Sequence, residues 1–149
     1  MPKVIPDTSC LILLKKIAAL ELLSSLYKEI LITEIVQKEF QEKLSIPHSK
    51  IKIKNSDFYS LLCQQIDPGE ASVITLASQS PGCLMILDDL KGRKVAAALN
   101  LNFTGTLGLL VKAKRSGLIA EIKPFVSRLI ESGIRVSPQV LAEIEKDYP

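Results

Sequence analysis

Cys83-Leu84-Met85-Ile86-Leu87 is an unbroken apolar run that stops at Asp88-Asp89. A strand with one face in water alternates apolar and polar residues, whereas an uninterrupted run marks a strand covered on both faces. Strands of that kind sit in parallel sheets with helices above and below. The run therefore demands helices on both sides of it, and the rest of the sequence supplies them.

Val4-Ile5 reads as the end of a short buried strand leading into Asp7. A helix follows to about Leu26, with Thr8 or Ser9 placed to cap it. A second strand covers Glu29 to Ile32, and a helix runs from Thr33 to about Leu44. The lysine-rich stretch from Ser45 is a loop or short strand, ahead of a helix ending near Gln65. Asp67-Pro68-Gly69-Glu70 opens the next helix, to about Ser78, and Pro81-Gly82 makes a turn. Beyond the apolar run, the pattern predicts a helix over 91–99 and a brief strand at Asn102-Phe103-Thr104. Further helices run from Thr106 to a stop at Gly117 and from Pro124 to just before Gly133. The last is capped by Ser137, with Pro138 at its first position. Short strands alternating with helices predict an α/β fold with a short parallel sheet. No composition break or repeat divides the chain, so one domain over residues 1–149 is expected. A chain of that length buries roughly 70% of the surface its unfolded form exposes, enough for one core.

His48 is the only histidine. That excludes an H-E-x-x-H zinc site and a two-histidine ribonuclease, and its polar surroundings between Pro47 and Ser49 suit a surface loop. Cys10, Cys63 and Cys83 lie far apart among apolar neighbours, so they read as buried free thiols of a reducing cytosol. The phosphate-cradling G-x-x-x-x-G-K motif is absent. No apolar run approaches the roughly 20 residues of a membrane span. The run after Lys3 is too short for a signal peptide, and Asp7 interrupts its approach. A cytoplasmic protein with no membrane partner is expected. The net charge of +3 is too weak a bias to name a partner. Two basic clusters, Lys91/Arg93/Lys94 and Lys112/Lys114/Arg115, are either phosphate contacts or solvated helix faces. Any enzymatic chemistry falls to carboxylates.

Asp7 and the pair Asp88-Asp89 each follow a strand, and ligand sites in open α/β sheets form beyond the carboxyl ends of strands. Capping a helix is the other job open to each. On a helical wheel, Glu39 projects between Ile35 and Val36, inside the apolar face completed by Phe40 and Leu44. Glu70 shares its side with Val73, Ile74 and Ala77, although Asp67-x-x-Glu70 also has capping-box spacing. A carboxylate aimed inward is costly unless paired or bound to metal. Acids converging from separate elements without histidine or cysteine suit a hard cation such as Mg²⁺. Such an ion orients and acidifies a water and neutralises a phosphoryl transition state.

The order of these residues resembles the PIN-domain superfamily, which includes the VapC toxins, and is similar to a prokaryotic branch of predicted nucleic-acid-binding PIN proteins. Val4-Ile5-Pro6-Asp7-Thr8-Ser9 resembles the first acidic motif, and Ile32 through Phe40 the second, with Glu39 as its acid. Gly69-Glu70-Ala71 through Ala77 resembles the third, although VapC toxins usually carry Asp where Glu70 stands. Leu87-Asp88-Asp89 through Ala96, with Thr104-Gly105-Thr106-Leu107-Gly108, resembles the fourth region. The resemblance implies a Rossmann-like PIN fold, three-layer α/β/α, with a Mg²⁺ or Mn²⁺ site and endoribonuclease activity. It assigns catalysis to Asp7, Glu39, Glu70 and Asp89. The same four acids make up the metal cluster, with Asp89 favoured as the fourth ligand by its offset from the strand and Asp88 a close second. Thr8, Ser9 and Thr106 would hydrogen-bond the acids, and Lys91 or Arg93 would bind substrate phosphate.

The leading reading is a metal-dependent ribonuclease acting on RNA, as the toxin of a type II pair with a small antitoxin protein. The alternative is a non-catalytic nucleic-acid- or protein-binding module. A phospho-receiver domain also clusters aspartates, but after its first strand, whereas the pair here comes late. A homodimer is expected from the resemblance. It is also expected from the apolar stripe Leu11, Leu14, Ile17, Ala18, Leu22 beside Phe40, which one chain would leave partly uncovered.

Overall fold

A computed structural model describes residues 2–54 and 56–148. The strands are β1 (Lys3–Pro6), β2 (Glu29–Thr33), β3 (Ser49–Ile51), β4 (Leu84–Ile86) and β5 (Phe103–Thr104). They form one sheet in the order β3-β2-β1-β4-β5, with every pairing parallel. The helices are α1 (Thr8–Lys16), α2 (Glu21–Leu26), α3 (Glu34–Phe40), α4 (Ser56–Leu62), α5 (Pro68–Ser78), α6 (Leu90–Ala98), α7 (Thr106–Arg115), α8 (Lys123–Glu131) and α9 (Pro138–Asp147). This is the three-layer α/β/α arrangement with a parallel sheet expected from the sequence.

The apolar run forms β4 as its lack of alternation requires. Met85, Ile86 and Leu87 are fully buried, as are Val4 and Ile5 on the neighbouring strand. The strand order reverses direction between β1 and β4, because β2 and β3 are added on one side of β1 and β4 and β5 on the other. Such a switch point leaves a crevice at the carboxyl ends of the two central strands. Asp7 and Asp88 stand at that crevice.

The sequence pattern and the structure differ at two helix ends. The helix expected to reach Leu26 breaks at Ala18, whose φ of 56° is left-handed, so α1 and α2 are separate. The break lets Leu14 and Ile17 on one side and Leu23 and Leu26 on the other all enter the core. The helix expected to reach Leu44 stops at Phe40, because Gln41 turns left-handed at φ 62°. Leu44 and Ile46 then fold back and are buried. The cap of α1 is Asp7 itself, rather than Thr8 or Ser9. Of the stripe read as a dimer face, Leu11, Leu14, Ile17 and Phe40 are buried, Leu22 is half-buried and Ala18 is exposed. Among the described residues, no helix is long and apolar enough to cross a membrane.

The two helices that carry glutamates are tied together by a buried hydroxyl chain. Thr33 accepts from the Val36 amide (3.1 Å), and its hydroxyl meets that of Ser72 at 2.7 Å. The Ser72 hydroxyl donates to the Gly69 carbonyl (2.7 Å), which leaves Thr33 to donate to Ser72. Thr33 and Ser72 are fully buried, so each bond lost strands a polar group away from water. Ser72→Ala should lower stability by about 1–3 kcal/mol, read as a shift in the urea midpoint at unchanged slope. An unshifted midpoint would show that the chain contributes nothing.

Candidate functional site

The sheet places the first two acids. The Asp7 amide donates to the Ile86 carbonyl (3.1 Å), which locks the end of β1 beside the end of β4. Asp7 is only 3% exposed, and its Oδ1 accepts from the Thr8 amide at 2.7 Å. Asp88 is half-buried and held from both sides by one residue. Its Oδ1 accepts from the Thr106 amide (2.8 Å) and its Oδ2 from the Thr106 hydroxyl (2.5 Å). Asp89 is exposed and caps α6, accepting from the Gly92 amide at 3.3 Å.

The helices bring the glutamates to the same crevice. Glu39 accepts from the Thr8 hydroxyl at 2.6 Å, so α1 and α3 meet through their functional residues. Glu39 is exposed rather than enclosed by its apolar face. The short α3 buries Val36 and Phe40 but leaves Ile35 half-covered, and the carboxylate at this edge lies over Gly69. A Cβ at position 69 would fall 2.0 Å from Glu39 Oε1. Glu70 is buried as its helical face required, at 4% exposure, and its Oε2 has no hydrogen-bond partner. That oxygen rests on Gly92, where a Cβ would come within 2.2 Å.

The acids act on one another across this short range. Burial pushes Asp7 up to about 7, with Asp67, Glu39 and Asp88 adding repulsion against the lowering bond from Thr8. Burial pushes Glu70 up to about 9, aided by a side-chain hydrogen bond with Asp67 and by the charges of Asp67, Asp7 and Asp89. Thus the charge of Asp88 bears on Asp7, and that of Asp89 on Glu70. Two participants escaped the sequence reading. Asp67 caps α5 through the Glu70 amide (2.9 Å) while repelling both Asp7 and Glu70. Burial and then Cys63 raise the Tyr59 hydroxyl, with Glu39 and Asp67 adding smaller effects. The capping-box spacing was the one available signal for Asp67.

The residues expected to touch substrate divide into two groups. Thr8 and Thr106 spend their hydroxyls on Glu39 and Asp88, so they orient acids. Ser9 is exposed at the start of α1. Lys91 is exposed and lines a polar recess with Gln64, Gln65, Asp67, Glu70 and Asp89. Arg93 donates its Nε to the Leu87 carbonyl (2.7 Å), and its guanidinium lies 5.5 Å from the centre of the Phe103 ring. The second basic cluster lies elsewhere. Lys112 sits over the Tyr27 ring, Lys114 donates to the Ala120 carbonyl and Arg115 to the Tyr148 hydroxyl. These residues are at the far end of α7, Arg115 about 14 Å from Thr106 along the axis at about 1.5 Å per residue.

The donor set is all oxygen, which suits a hard divalent cation. The unpartnered buried Glu70 Oε2 is the kind of atom such an ion would satisfy. Among the described residues, no three acidic or other ligating side chains are gathered to hold an ion as they stand. The set fits a hard divalent cation by its donor chemistry and by the unpartnered Glu70 oxygen.

A protein-family model described as a PIN domain matches residues 3–148. No curated protein and no solved structure matches the chain.

Asp7 and Glu70 bind protons more tightly folded than unfolded. Between the ordinary carboxylate range and about 7 for Asp7, or about 9 for Glu70, the native state carries the extra proton. Stability then falls as pH rises through that window. In chelator, the melting temperature should be higher at about pH 5.5 than at about pH 8.5. Asp7→Asn keeps the cap and should flatten the part of the fall below about 7. A melting temperature that climbs across this range would contradict the repulsion described.

Proposed function

The chain belongs to the PIN-domain family, a nuclease-type family whose members typically use divalent metals, and we propose that it is a Mg²⁺- or Mn²⁺-dependent endoribonuclease. The supporting observation is the buried, unpartnered Glu70 Oε2 in a group of mutually repelling acids at the switch point of the sheet. A bound divalent ion would supply counter-charge and a water acidified for attack on phosphorus.

The chain's residues divide that work. Asp7 and Glu39 would hold the ion, with Asp89 or Asp88 as a further ligand, and Glu70 would ligate it or orient the water. Thr8 and Thr106 fix the carboxylates they touch, so less reorganisation is needed when substrate arrives. Lys91, at the rim beside Asp89, holds a neighbouring phosphate. A toxin role in a type II pair rests on the resemblance to VapC toxins, and a small DNA-binding antitoxin encoded beside this chain would support it. A non-catalytic binding module is the second reading, favoured by the ungathered carboxylates among the described residues.

Cleavage separates the two. Wild type should cut RNA with Mn²⁺ and stop in excess chelator. Asp7→Asn and Glu70→Gln should each lose about 10²-fold or more in rate, as removal of a preorganised electrostatic group does. Both variants should still bind RNA in chelator. Equal cleavage by wild type and both variants, or cleavage that survives chelator, would reject the nuclease reading.

A further inference from the structure

The first turn of α5 gathers more acid than the sequence motifs assign to it. Glu70 lies there with its Oε2 buried and unpartnered, and the Glu39 carboxylate lies over Gly69 in the same turn. The residue that caps the turn is Asp67. It is exposed, and with Glu70, Asp89 and Lys91 it lines a polar recess of about 350 Å³.

Capping accounts for only part of this residue. The cap uses one oxygen, Oδ1, which accepts from the Glu70 amide at 2.9 Å, and Asn or Ser would serve it as well. What Asp adds is a negative charge beside other negative charges. Of the acids that raise Asp7, Asp67 has the largest effect, ahead of Glu39 and Asp88, and its charge is also the foremost of those acting on Glu70. The dipole at the start of α5 offsets part of that repulsion. The rest opposes the folded state unless a cation joins the acids. Among the described residues, no ion pair engages Asp67. An exposed carboxylate beside the buried Glu70 oxygen offers a hard cation a second oxygen donor from the same turn.

We propose that Asp67 is a ligand of the divalent cation, joining Glu70 from the first turn of α5. The proposal rests on the metal-dependent reading above and adds an acid outside those that the resemblance assigns. In that turn Asp67 and Glu70 supply oxygens, and Gly69 leaves the room in which the Glu39 carboxylate lies.

The test is isothermal titration calorimetry of wild type and Asp67→Asn with Mn²⁺, beside thermal melting of both in EDTA. Asn keeps the cap and removes the charge. Mn²⁺ affinity should fall about tenfold or more, since losing even an indirect partner of a metal site costs that much. The melting temperature in EDTA should equal that of wild type or exceed it. Asp67→Ser, which also caps, should weaken Mn²⁺ binding to the same degree. Wild-type Mn²⁺ affinity in both variants makes Asp67 a cap alone and overturns the proposal, as does a melting temperature in EDTA clearly below wild type in both. If wild type still cuts RNA with Mn²⁺ in that case, the nuclease reading stands without Asp67. Conversely, Mn²⁺ binding that needs Asp67, with no RNA cleavage, supports the ligand and rejects the nuclease.

Discussion

Crowded carboxylates repel, and everything at the mouth of this sheet depends on how that repulsion is contained. Among the described residues, the ion pairs are Lys3–Glu29, Lys15–Glu42 and Lys123–Glu145, and none reaches the acids of the crevice. Neutral donors do the holding instead. Backbone amides at helix starts take Asp7, Asp67 and Asp89, and hydroxyls take Glu39 and Asp88. Neutral donors stabilise charge less than a cation does, and burial first, with the neighbouring acids second, holds protons on Asp7 and Glu70 well above the ordinary carboxylate range. The fold therefore preserves an unmet demand for positive charge at its switch point.

Much of the architecture was legible because it follows from local chemistry. The apolar run specified β4, and Gly117, Gly133 and Ser137-Pro138 marked helix ends that the structure keeps. The misplaced boundaries lack any such mark. Ala18 and Gln41 adopt left-handed conformations that their side chains do not favour, and tertiary packing of Leu23, Leu26, Leu44 and Ile46 imposes them.

The site was legible to the same degree. Helical periodicity identified Glu70 as buried, but it misjudged Glu39, because a wheel cannot register that a helix lies at the edge of a cleft. Asp67 was hidden by having a sufficient local explanation as a cap. Arg135 carried no signal at all. It lines one recess with Asp88 from the connection between α8 and α9. The two basic clusters looked alike in sequence. One adjoins the acids, and the other spends its cations on Tyr27, Ala120 and Tyr148.

The glycines of the acidic motifs form a sequence of their own. Gly69 is the floor under Glu39, Gly92 the floor under Glu70, and Gly105 the gap that admits Arg93 and Asp88 Oδ1. In each case the small residue serves an acid or base carried by a different element. A methyl group added to any of these floors would be met by the tip of a flexible side chain, so the chain would fold and the functional group would be evicted. Address and occupant are thus encoded in separate segments. A change to one segment thus displaces a side chain carried by another.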